Sequence, residues 1–83
     1  MKITIKYFAS IRETVGKGSE QRDTAAATLA DLRQELRALS PLYAQALAHG
    51  KPVRMALNQV MSDESTPLQD GCEVAFFPPV TGG

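Results

Sequence analysis

One cysteine, one histidine and no tryptophan occur among the 83 residues, and the charges cancel, nine basic side chains against nine acidic. Each shortage closes off a class of function. A lone Cys72 cannot form an internal disulfide, so nothing ties the chain to an oxidising compartment. With His49 as the only imidazole, neither a zinc tetrad nor a Cys-His or Ser-His-Asp constellation is assembled. A net charge of zero argues against nucleic-acid binding, which draws its affinity from surplus Lys and Arg. It also gives no electrostatic reason to lie on an anionic membrane. No apolar run approaches the ~18–20 residues needed to cross a bilayer. The opening Met1-Lys2-Ile3-Thr4-Ile5-Lys6 alternates where a signal peptide is continuously apolar, so the expected location is cytoplasmic.

Other faint signals also fall away. Gly16-Lys17-Gly18-Ser19 lacks the first glycine of a phosphate-binding loop, having Ile11 there, and has Gly18 where Ser or Thr must follow the lysine. A turn is expected instead. Asp63 and Glu64 sit in a polar loop with no cleft to separate their pKa values, and Cys72 has no cationic neighbours and reads as a small, partly buried filler.

What is present is 43% hydrophobic residues, enough for one modest core. Ile3, Ile5 and Tyr7 alternate with Lys2, Thr4, Lys6 and Phe8, a half-buried strand with one aromatic on its polar parity. Residues 9–15 predict a helical turn ending at Gly16, and residues 20–24 a polar edge strand. Thr28 begins the clearest helix, with Asp31 at the reciprocal position of a capping box. Leu29, Leu32, Leu36 and Leu39 form its buried stripe, while Arg33, Gln34 and Arg37 are expected to point away. Ser40-Pro41 starts a short second helix over 42–48, stopped by Gly50 and Pro52. Val53, Met55 and Leu57 alternate as a strand that turns at Asn58-Gln59 toward Val60 and Met61. After the Asp70-Gly71 turn the last strand covers residues 73–77, with Val74 and Phe76 on one face and Ala75 and Phe77 on the other. The order predicts a two-layer α+β domain, one main helix packed on one face of a mixed sheet.

The end of the chain is physically unusual. Pro78 and Pro79 cannot donate to a sheet ladder and favour a stiff, extended exit. Gly82 and Gly83 have no side chains and can thread a slot too narrow for a Cβ. Six residues after Phe77 reach about 20 Å when extended. A stiff base, a slim tip and a terminal carboxylate make a probe.

Nearly the whole chain resembles the small, sulfur-carrying subunits of molybdopterin synthase, a ubiquitin-like β-grasp family. The likeness runs from Tyr7-Phe8-Ala9 and Ile11-Arg12-Glu13 through Thr28-Leu29, Asn58 and Leu68-Gln69-Asp70-Gly71. It ends in Glu73-Val74-Ala75-Phe76-Phe77-Pro78-Pro79-Val80-Thr81-Gly82-Gly83, whose Phe-Phe-Pro-Pro-Val segment is what selects this family among β-grasp carriers. Residues 17–27 depart most. The resemblance implies one β-grasp domain over residues 1–83 with a flexible tail from about residue 78. It implies that Gly83 is adenylated by an E1-like activating enzyme using ATP and converted to a thiocarboxylate with sulfur from a persulfide donor. Pro78, Pro79, Val80, Thr81, Gly82 and Gly83 would then enter the large subunit of the synthase, in a heterotetramer, where sulfur passes to the cyclic pterin phosphate precursor. No cofactor or metal is expected on this chain, and the catalytic acids and bases are expected on the partner. Because the family sets the first and last strands side by side, Phe8 and Phe77, with Met61, are expected to form an exposed docking patch, and Arg12, near the tail's exit, a rim ion pair. The rivals are a carrier for thiazole synthesis, a protein modifier, and a β-grasp binding module without carrier chemistry.

Overall fold

A computed structural model describes residues 1–48 and 50–79 of the chain. The elements in chain order are β1 (Lys2–Tyr7), α1 (Ala9–Val15), β2 (Ser19–Asp23), α2 (Leu29–Arg37), α3 (Pro41–Ala46), β3 (Arg54–Leu57), β4 (Val60–Ser62) and β5 (Glu73–Phe77). The strands form one mixed sheet in the order β2-β1-β5-β3-β4. β1 and β5 run parallel at its centre, and the remaining pairs are antiparallel. Lys6 stands opposite Ala75 and Tyr7 opposite Phe76.

Strand alternation explains the core. Ile3, Ile5 and Tyr7 of β1, Val74 and Phe76 of β5 and Met55 of β3 are buried together on one face. Over them lie Leu29, Leu32 and Leu36 of α2, Ile11 and Val15 of α1, and Tyr43 and Ala46 of α3. Tyr7 stacks on Phe76, with ring centroids 6.2 Å apart. α2 begins where the Thr28 hydroxyl accepts from the Asp31 amide at 3.3 Å; among the described residues Asp31 makes no return bond. Ser40 caps α3 in the same way through the Tyr43 amide, with Pro41 in the first turn.

The structure corrects several expectations. α2 ends at Arg37, so Leu39 falls beyond it and is 44% exposed rather than part of the stripe. Arg33, expected to point away, is only 5% exposed. Its Nε donates to the Leu47 carbonyl at 2.9 Å, its Nη2 to the carbonyls of Ala48 and Lys51, and its Nη1 to Glu64 Oε1 at 2.8 Å. A guanidinium tolerates such burial because its fork of donors finds an acceptor in each direction. Glu64 is therefore a structural partner. The edge strand starts and ends one residue earlier than expected, and Thr24, just beyond it, is buried and donates to Glu35 Oε1 at 2.7 Å. α3 covers Pro41–Ala46 rather than 42–48. Cys72 is fully rather than partly buried. The expectations placed on His49, Val80, Thr81, Gly82 and Gly83 lie outside the described residues.

Candidate docking face at the base of the tail

Among the described residues, no helix covers the opposite face of the sheet. The strand register runs Lys6, Ala75, Ala56 and Met61 across β1, β5, β3 and β4 in one row. In the next row toward the tail, Arg54 stands opposite Phe77, and Phe8 follows directly on β1. Ala75 and Ala56 are thus a floor of small side chains between large ones. Above them is an apolar hollow of about 770 Å³ bordered by Phe8, Met61, Phe77, Pro78 and Pro79. Phe8 is 47% and Met61 59% exposed, far more than side chains of their size need for folding. The structure brings Phe8, Met61 and Phe77 to one hollow, and Pro78 and Pro79 form one of its edges.

Local backbone explains why these side chains stand there. The Phe8 amide continues the β1–β5 ladder by donating to the Phe76 carbonyl at 3.1 Å. Its own carbonyl accepts from the amides of Ile11 and Arg12, so strand and helix join at a single residue. The chain reverses immediately at Ala9, whose φ of +51° is left-handed and costs about 1–2 kcal/mol without glycine. On the other side, Asn58 and Gln59 both have positive φ, as a two-residue hairpin turn matched to strand twist requires. Asn58 also exchanges two hydrogen bonds with the Glu73 backbone, at 2.8 and 2.9 Å, and so anchors the hairpin that carries Met61. Lys6 Nζ and Glu73 Oε1, 3.4 Å apart, border the hollow opposite the tail; exposure keeps their contribution small.

Arg12 is not part of this hollow. Its guanidinium lies over Gly18, where an added Cβ would come within 3.2 Å of it, in a separate polar recess with Glu13 and Lys17. The face of α1 that looks toward Pro78 and Pro79 is made by Ser10, Ile11 and Thr14.

The strongest polar cluster escaped the sequence reading. Glu20 Oε2 accepts hydrogen bonds from Tyr7 Oη at 2.8 Å and from Tyr43 Oη at 2.5 Å. Burial, and then the carboxylate beside them, push both phenols above the ordinary tyrosine range, so they remain protonated donors. This cluster ties edge strand β2 to α3 and the core; nothing in the period-two pattern of β2 marks Glu20 out. Among the described residues no three of His, Cys, Asp and Glu come together as a metal ion needs, and no helix is long and apolar enough to cross a membrane.

Residues 5–83 match the ThiS family, nearly the full length of the chain. The chain belongs to the ThiS family. Within it, the chain is 44% identical to the molybdopterin synthase sulfur carrier subunit of Escherichia coli (strain K12), over 98% of this chain and 99% of that protein. Among solved structures it is similar to SAMP1 from Haloferax volcanii, with a TM-score of 0.82 and 25% identity over the whole of both chains. It is also similar to a chain in the complex of subunits 1 and 2 of the molybdopterin-converting factor from Helicobacter pylori, with a TM-score of 0.68 and 26% identity over the whole of both. The fold of this ThiS family member is the ubiquitin-like β-grasp.

Proposed function

We propose that this chain is the sulfur carrier of a molybdopterin synthase and that its chemistry takes place on the carboxylate of Gly83. The observation that carries this is a family match that runs through Gly83, joined to a tail base that leaves the sheet beside an open apolar hollow. A carboxylate is a poor electrophile, so ATP-dependent adenylation by an activating enzyme comes first, with pyrophosphate leaving. The terminal sulfur of a persulfide donor then displaces AMP, giving an acyl disulfide. A second thiol cleaves its S–S bond, releasing the thiocarboxylate and leaving a disulfide with the donor. The loaded tail enters the large subunit, which supplies the acids, bases and phosphate-binding cations for transfer to the cyclic pterin precursor. The hollow over Ala56 and Ala75, with Phe8, Met61 and Phe77 around it, docks the carrier and holds the tail on course.

A second reading, a modifier joined to lysines of other proteins, draws on the likeness to SAMP1. Intact-protein mass spectrometry after co-production with the activating enzyme separates the two. Replacement of one oxygen by sulfur, localised to Gly83, is the expected result. A chain found instead in amide linkage to lysines supports the modifier. A variant extended beyond Gly83 that is not trimmed and still restores molybdenum-enzyme activity refutes the carrier assignment.

A further inference from the structure

Packing does little to fix where strand β4 lies. Val60 and Met61 are exposed and Ser62 is only half-buried, whereas Leu57, the last residue of β3, still packs against the core. β4 is the edge of the sheet and pairs with β3 through Ser62, Met61 and Val60. Beyond it the chain is secured at Glu64, whose carbonyl accepts from the Ala30 amide at 2.9 Å and whose carboxylate accepts from Arg33. Yet β4 supplies Met61, and its turn supplies Gln59, to the wall of the apolar hollow on the side away from Phe8.

Asn58 fixes the turn end of that hairpin. It stands opposite Glu73, one pair beyond Leu57 and Val74 in the β3–β5 register. At such a position in an antiparallel ladder the two residues exchange a pair of hydrogen bonds, each N–H to the other's carbonyl. The Asn58 amide donates to the Glu73 carbonyl at 2.8 Å. The chain turns away at Asn58, with φ +50°, and the return bond from the Glu73 amide goes to the side-chain Oδ1 at 2.9 Å. The side chain thus completes the pair in place of a backbone carbonyl and joins the hairpin to the central strand β5. Glu73 is gripped from both sides, since its carboxylate stands 3.4 Å from Lys6 Nζ at the border of the hollow. The hollow is lined by Gln59 and Met61 rather than by Asn58, so Asn58 acts on anything bound there through the hairpin.

We propose that Asn58 is a positioning residue for docking: it holds Met61 where the large subunit meets it, and adds to affinity through Met61 without contact of its own. This rests on the carrier reading above. A hairpin free to sample several positions must give up that freedom when it is bound, so affinity falls although the fold survives. Asparagine suits the task for two separate reasons. It tolerates the left-handed turn, and its amide oxygen accepts from the facing backbone. Glycine meets the first need and fails the second.

The test measures the Kd for the large subunit by calorimetry, at a temperature where every variant is fully folded. Asn58→Gly keeps the turn and removes the acceptor, and its Kd is expected to rise about five- to tenfold. Asn58→Asp keeps an oxygen in place and is expected to bind within about threefold of wild type. In a Met61→Ala background, itself about tenfold weaker, Asn58→Gly should add no more than about twofold, because both changes act on one contact. In a Phe8→Ala background, on the other side of the hollow, its full effect should persist. A merely structural role would lower the melting temperature and leave the affinity of the folded chain unmoved. Unchanged affinity in Asn58→Gly, full additivity with Met61→Ala, or an Asn58→Asp variant as weak as Asn58→Gly overturns the positioning role, while binding by the wild type leaves the carrier reading standing. No complex between the wild-type chain and the large subunit overturns both.

Discussion

The two faces of the sheet are both apolar near the tail, yet they are built from different residues and meet different surroundings. On the helix side, Ile3, Ile5, Tyr7, Met55, Val74 and Phe76 are large, buried, and covered by this chain's own helices. On the open side the floor is Ala56 and Ala75, and the large residues Phe8, Met61 and Phe77 stand around it. The first arrangement fills space and the second leaves it. Apolar surface that folding does not use remains available for another molecule, and it lies where the tail begins.

Phe76 and Phe77 are neighbours in β5 with opposite duties, so they test that contrast most directly. Phe76→Ala is expected to cost about 3–5 kcal/mol in denaturant unfolding, since it empties the contact with Tyr7. An equal loss from Phe77→Ala would break the distinction between the faces. Arg33→Ala comes next, at about 2–4 kcal/mol, because it orphans the carbonyls of Leu47, Ala48 and Lys51; a cost near zero would show that this segment holds without it. Ala75→Leu fills the hollow from its floor. Unfolding should shift by no more than about 1 kcal/mol, while binding of the large subunit weakens at least about tenfold, measured by calorimetry.

The smallest expected effect concerns pH. Burial alone would raise the Glu35 pKa, but hydrogen bonds from Arg22 and Thr24 outweigh it and hold the carboxyl below the usual glutamate range. A depressed carboxylate pKa stabilises the fold above the unfolded-state value, and that contribution is lost as pH falls through the folded value. Glu35→Gln should therefore flatten the acid limb of a stability curve below about pH 4.3 by well under 1 kcal/mol, as befits a partly exposed pair. A steeper acid limb in the variant would reverse the sign assigned to Glu35.

Periodicity made most of the fold legible. β1 shows its parity in Ile3, Ile5 and Tyr7, and β5 matches its expected bounds at Glu73–Phe77. The same parity exposed Phe8 and Phe77 as aromatics on the wrong face, and the structure puts both beside one hollow. Period alone could not reveal partners that are distant in sequence. Arg33 looks like any solvent-facing helix residue until the carbonyls after α3 surround it, and Glu20 like any edge-strand carboxylate until two phenols close on it. Leu39 failed for a local reason, since α2 ends before it. Arg12 lies two positions from both Ser10 and Thr14, which turns it away from the face of α1 that looks toward Pro78 and Pro79, a placement that the linear order of residues does not display.

The central, parallel pairing of β5 has a mechanical consequence. A partner that draws the tail into a pocket pulls lengthwise on β5, which is flanked by β1 on one edge and β3 on the other. Force applied in that direction loads both ladders in shear, so their hydrogen bonds resist together instead of opening one after another as they would at an edge strand. The globule can be tugged by its last residues without unravelling, and a strand at the rim of the sheet would give no such grip.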